Sequence, residues 1–255
     1  MPGLLEQFPT VHLLGLDLVA APLPAVAAAL ACRQSTEPFG YVVTPNADHF
    51  VRLSKDYNAA IDLYRLAGSL HLDSRVVHRL GRLLRLPLPP VVTGSDLTLE
   101  LLRHWIDPRE PITIVGTTQE AVIRLCETFK LVNVAHHCPP FSFERHIELV
   151  EQCAEYVESH PARFVLLACG APRQELLARR IAERGRATGI GLCIGSAVDQ
   201  LGGHERRAPT WMRQQGLEWL WRLVRAPSRM GGRYLADARI FMLLLEEARR
   251  SRALH

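Results

Sequence analysis

Several common signatures are missing from this chain. No Gly-x-Gly-x-x-Gly occurs, which argues against a dinucleotide site of the usual form, and no Gly-x-x-x-x-Gly-Lys-Ser/Thr occurs, which excludes an ordinary P-loop. There is no Asp-x-Asp, so the carboxylate pair that often holds a divalent ion on a nucleotide diphosphate is absent. The six cysteines (Cys32, Cys126, Cys138, Cys153, Cys169 and Cys193) form no Cys-x-x-Cys pair. Several lie in apolar runs, where a free thiol behaves as a small hydrophobe. His136-His137-Cys138 is not read as a metal site, because adjacent residues point apart and no second cluster completes a four-ligand set. Long hydrophobic runs are also lacking. The longest uncharged stretch, Leu18 to Cys32, is 15 residues with Pro22 and Pro24 inside it, short of the roughly 20 a spanning helix needs. The first residues, MPGLLEQFPT, lack a basic segment followed by an apolar core, so no signal peptide is expected. A reduced, cytoplasmic protein is the expectation.

What remains is the composition of a soluble globular protein, 48% hydrophobic and 22% charged over 255 residues. That length fits one α/β domain, or one domain with an appendage. The net charge of +4 conceals an asymmetry: residues 206–255 carry 11 arginines and 4 acidic residues, a net of +7, and the rest a net of −3. Basicity gathered in the tail points to an anionic partner there.

Short apolar runs alternate with helical patterns. Strands are expected at Val11–Leu18, Gly40–Thr44, Ser69–Leu72, Val91–Thr93, Ile112–Val115, Leu131–Ala135, Phe164–Ala168 and Thr188–Ile194. Helical patterns between them include Asp56–Leu66, Arg75–Leu86, Leu97–Trp105, Thr118–Phe129, Glu144–Ser159 and Arg173–Arg184. This rhythm implies βαβ units and a Rossmann-like, mostly parallel sheet with helices on both faces. It stops after about Gly203, which divides the chain into a Rossmann-like domain, residues 1–202, and an Arg/Trp-rich helical appendage, residues 203–255.

Parallel sheets bind ligands outside the carboxyl ends of their strands. There stand Thr44-Pro-Asn46, Asp73-Ser-Arg75, Gly94-Ser-Asp96, Gly116-Thr-Thr118, Gly170-Ala-Pro-Arg173-Gln174 and the segment from Gly195 to Asp199. Asn46 reads either as a helix N-cap or as a donor and acceptor facing a cleft. Asp73 reads either as a cap or as a general base. Arg173 and Gln174 bring polar groups to a helix start after a glycine and a proline. Asp199 with Arg206 and Arg207 suits a phosphorylated nucleotide, the acid for recognition and the arginines for phosphate.

Together these motifs resemble the WecG/TagA/CpsF family of bacterial glycosyltransferases over about residues 11–234. The resemblance is carried by Thr44-Pro-Asn46-Ala-Asp48, Asp73, Thr93-Gly94-Ser95-Asp96-Leu97 and Gly170-Ala-Pro-Arg-Gln-Glu175. Further along it rests on Gly195-Ser-Ala-Val-Asp199, Arg207-Ala-Pro-Thr-Trp211-Met and Gly216-Leu-Glu-Trp219-Leu-Trp-Arg222-Leu. It implies an inverting, metal-independent transferase that uses no cofactor and takes a UDP-sugar as donor substrate. The acceptor it implies is a polyprenyl-diphosphate-linked glycan at the inner face of the cytoplasmic membrane. Carried over residue by residue, the base falls on Asp73, the groups near the reacting centre on Thr44 and Asn46, the cleft glutamine on Gln174 and the nucleoside-recognising acid on Asp199.

Two departures stand out. Val91 occupies the place of a family arginine, so Arg75 is a candidate for its phosphate contact. Cys138-Pro-Pro-Phe141 replaces a common Gly-Tyr-Phe, which leaves the donor sugar open between glucose and N-acetylmannosamine types. Without a metal, charge developing on the leaving group must be met by helix N-termini and arginines. Arg207, Arg213, Arg222 and Arg225 are the candidates, with the glycines Gly116 and Gly195 close to the ligand. On a single helix, Arg222, Arg225, Arg229 and Arg233 would fall within about 80° of one another. With Trp211, Trp219 and Trp221 they also suit an anionic membrane surface, each basic residue contributing roughly 1 kcal/mol there. The rival readings are a nucleic-acid-binding protein using the same Arg/Trp tail and another Rossmann-like transferase or dehydrogenase. A homo-oligomer stays open, because exposed and buried apolar helix faces look alike in sequence.

Overall fold

The computed structural model describes residues 5–203, 209, 212, 221 and 239–253. Six strands form one all-parallel sheet: β3 (Gly40–Val43), β4 (Ser69–Leu70), β5 (Ile112–Gly116), β6 (Val134–His137), β7 (Phe164–Ala168) and β8 (Ile190–Cys193), in the order β4-β3-β8-β7-β5-β6. β3, β5, β7 and β8 are buried along their whole length, as expected of a parallel sheet covered on both faces.

Side chains alternate across such strands, and the core divides accordingly. Tyr41, Val43, Val165, Leu167 and Cys193 enter one apolar cluster, whereas Val42, Phe164, Leu166, Ile190 and Leu192 enter the other. The first is closed by α2 (Ala47–Lys55), α3 (Tyr57–Arg65), α4 (Arg75–Leu83), α7 (Ile147–Ser159) and α8 (Arg173–Arg184). The second is closed by α1 (Leu23–Ala31), α5 (Gly94–His104), α6 (Gln119–Phe129) and α9 (Ala197–Leu201). A last described helix, α10 (Arg239–Ala253), packs against α2 and α4 and sinks Ile240, Leu244 and Ala248 into the first cluster. Their spacing of four residues places them on one helix face.

Three expected strands differ from what forms. Val11–Leu18 is two strands, β1 (Thr10–Leu13) and β2 (Leu16–Val19), paired antiparallel beside the β4 edge. Leu14 (φ 50°) and Gly15 (φ 87°) reverse the chain between them, as in a two-residue turn with both φ positive. Val91–Thr93 makes only one isolated bridge, Leu72 to Val91. Pro89 and Pro90 have no N–H for a ladder, and α5 begins at Gly94. The strand expected at Leu131–Ala135 runs instead from Val134 to His137, because Lys130 in the left-handed region ends α6 and Leu131 turns inward.

Candidate active site

β3 and β4 continue side by side past their formal ends: the His71 N–H donates to Val43 O and the Asp73 N–H to Pro45 O, at 3.0 and 2.8 Å. Thr44 and Asp73 therefore emerge together. The Thr44 hydroxyl donates to Asp73 Oδ2 at 3.3 Å, and the Gly94 N–H donates to the same oxygen at 3.0 Å. Gly94 opens α5 behind the Thr93 cap, whose hydroxyl accepts the Asp96 N–H. A carboxylate at a helix N-terminus meets the positive end of the helix dipole. A Cβ on Gly94 would sit 3.0 Å from Thr44 Oγ1 and 3.3 Å from Ile194 Cα, so a larger residue would require the strand ends to give by a few tenths of an ångström. Arg75, at the start of α4, reaches the first turn of α5 and bonds Asp96 Oδ2 at 3.1 Å.

A second group gathers at the ends of β5 and β8. Gly116 (φ 98°) passes so close to β7 that a Cβ would lie 2.7 Å from the Ala168 carbonyl. Thr117 beyond it donates to Asp199 Oδ1 at 2.7 Å, holding that acid toward the same edge. His136 donates from Nε2 to the Gly116 carbonyl at 2.9 Å and meets the Gln119 side chain, whereas His137 stacks on Tyr156.

Between the two groups lies the end of β7. Arg173 is half-buried, with its guanidinium 5.2 Å from the ring centre of the exposed Phe141. Gln174, only 3% exposed, accepts the Gly195 N–H at 2.8 Å and donates to Glu175 Oε1 at 2.8 Å. Glu175 is 0% exposed and lies 3.3 Å from His49 Nε2. His49 Nδ1 in turn is 2.9 Å from Asn46 Oδ1, which caps α2 by accepting the Asp48 N–H. The structure thus brings Thr44, Asp73 and Gly94 into one hydrogen-bonded group and Asp199, Thr117 and Gly116 into another. Asn46, Gln174 and Gly195 are linked through two residues, His49 and Glu175, to which sequence reasoning assigned no role. Glu175 shares a buried helix face with Ala178 and Ala182, and His49 one with Leu53. Arg207, Arg213, Arg222 and Arg225 lie outside the described residues.

Burial pushes the Cys169 thiol up to about 12 and raises Cys193 well above its ordinary value, so neither supplies a thiolate at neutral pH. His71, wholly buried two residues before Asp73, is lowered by the same desolvation to about 4 and stays neutral.

A covered parallel sheet with polar groups collected at its carboxyl edge defines a Rossmann-like α/β protein, and sheets of this kind bind ligands at their strand ends. The chain belongs to the WecG/TagA/CpsF family of glycosyl transferases, whose model matches residues 11–254, essentially the whole chain. It is accordingly a glycosyltransferase of a family tied to cell-surface polysaccharide synthesis. Among the described residues no helix is long and apolar enough to cross a membrane.

Proposed function

We propose that the protein transfers a hexose, of glucose or N-acetylmannosamine type, from a UDP-sugar to a polyprenyl-diphosphate-linked glycan, with inversion and without a metal ion. One observation carries the reading. The Asp73 carboxylate is anchored by Thr44 and by the Gly94 N–H at a helix N-terminus, on the edge of the sheet that also presents Asp199. Asp73 takes the proton of the acceptor hydroxyl as its oxygen bonds the anomeric carbon. The bond from that carbon to the UDP oxygen breaks on the opposite face, and UDP departs with the electron pair. Thr44 and Asn46 border the reacting centre, and Asp199 recognises the nucleoside beside Gly116 and Gly195. Arg75 and Arg173, with Arg207, Arg213, Arg222 and Arg225 from the tail, meet the diphosphate. The acceptor lies at the inner face of the membrane, where the basic appendage, residues 203–255, holds the enzyme and completes its site.

The Arg/Trp tail on its own also fits a nucleic acid, but it falls inside the family match, which supports a part in the transferase instead. Thermal-shift measurements should give stabilisation by UDP and none by NAD or S-adenosylmethionine. Transfer to a lipid-linked acceptor should persist in excess EDTA. Loss in EDTA with recovery on adding manganese or magnesium would refute the metal-free mechanism.

A further inference from the structure

Between Asn46 and Gly195 runs a row of buried polar groups to which the transfer step gives no task. The direction of each hydrogen bond in it follows from groups that can only donate. The Gly195 N–H faces Gln174 Oε1, so Gln174 Nε2 is the atom that donates to Glu175. The Asp48 N–H fixes Asn46 Oδ1 as the atom turned inward. His49 Nδ1, 2.9 Å from that same oxygen, needs a proton to make the contact. The Asn46 backbone N–H also faces Nδ1 at 3.3 Å, as in a capping box, and a proton on Nδ1 gives up that longer bond for the shorter contact to Oδ1. A further proton lies between His49 Nε2 and Glu175 Oε1.

We propose that Glu175 and His49 are positioning residues: through His49 the buried carboxylate holds Asn46 with Oδ1 inward, and through Gln174 it holds the Gly195 turn. This rests on the reading that Asn46 borders the reacting centre. The occupant of position 175 is costly to the fold. A fully buried carboxylate loses its hydration, and Oε2 has no protein hydrogen bond. Buried ionic pairs often contribute less stability than an apolar replacement of the same shape, so packing does not account for a glutamate here. Orientation does: a proton on Nδ1 joins the Asp48 N–H on Asn46 Oδ1, whereas a bare Nδ1 would set a lone pair against that oxygen and loosen the amide.

Glu175→Gln separates shape from charge. The new amide must keep its oxygen toward Gln174 Nε2, which obliges His49 to donate from Nε2. Nδ1 then points a lone pair at Asn46 Oδ1, and the Asn46 amide is held by the Asp48 N–H alone. Long-range proton–nitrogen spectra of the full chain labelled at histidine, near neutral pH, test this without any substrate. His49 is assigned by its loss in His49→Gln. A proton on Nδ1 is expected in the wild type and its absence in Glu175→Gln; a wild-type Nδ1 without a proton overturns the proposal. In the transfer assay, Glu175→Gln should lower kcat by about 10²-fold, the scale of a displaced reacting group. The double variant with Asn46→Ala should be no slower than Asn46→Ala alone; fully additive losses would overturn the proposal. A wild type that transfers nothing from any UDP-sugar would sink the functional reading instead, and the spectra would still decide the state of His49.

Discussion

Asp73 and His71 sit two residues apart at the end of β4 and have opposite requirements. As the proposed base Asp73 must carry charge, and the α5 N-terminus beside it suits a carboxylate. Asp73→Asn should keep the fold and UDP binding while lowering turnover by roughly 10²–10⁴-fold; near-wild-type turnover would remove Asp73 from the mechanism. His71 must stay neutral. Its folded value of about 4 lies below the unfolded 6.5, so the folded state disfavours the proton. The associated stability is complete above pH 6.5 and is lost as pH falls toward 4, by about 3 kcal/mol in all. Urea unfolding between pH 7 and 4 should show the decline, and His71→Leu should flatten it. A slope unchanged in that variant would assign the acid sensitivity to other groups. Thr44, Asn46 and Asp73 stood out in the sequence because each comes within three residues of a strand end, and Asp199 because it is the acid that follows the Gly195 turn. His49 and Glu175 were not, because each alone is one polar residue on an apolar helix face, and their partnership spans 126 positions.

At the scale of elements, β3, β5, β7 and β8 were legible because a strand buried on both sides leaves a continuous apolar run. The β1–β2 turn was not, since Leu14 in a left-handed conformation has no sequence signal of its own. Helix α1 reads from composition as a mere uncharged run, yet its alanine-rich stretch forms a regular helix. α10 is the element whose packing changes expectations most. With Leu244 wholly buried, Leu244→Ala should cost about 2–5 kcal/mol. Chemical denaturation would read that loss, and a change within error would mean that α10 contributes little to the fold. The same packing makes truncation near residue 202 a poor probe of the tail, because it would bare the apolar faces of α2 and α4 as well as remove arginines.

For the whole molecule, the tail is better probed by charge. Reversal at Arg222 and Arg225 should weaken vesicle binding and catalysis together, and binding by the intact chain should fall as salt rises, exposed charges being screened beyond about 8 Å. Binding to anionic vesicles that is indifferent to salt would count against an electrostatic hold. The helices that flank residues 204–238 lie on opposite faces of the sheet: α9 packs on α5 and α6, and α10 on α2 and α4. A single proteolytic cut in that span would part the backbone without parting the particle, because Ile240, Leu244 and Ala248 would keep the shorter piece moored in the core. The nicked enzyme would elute as one species and separate into two chains only when denatured.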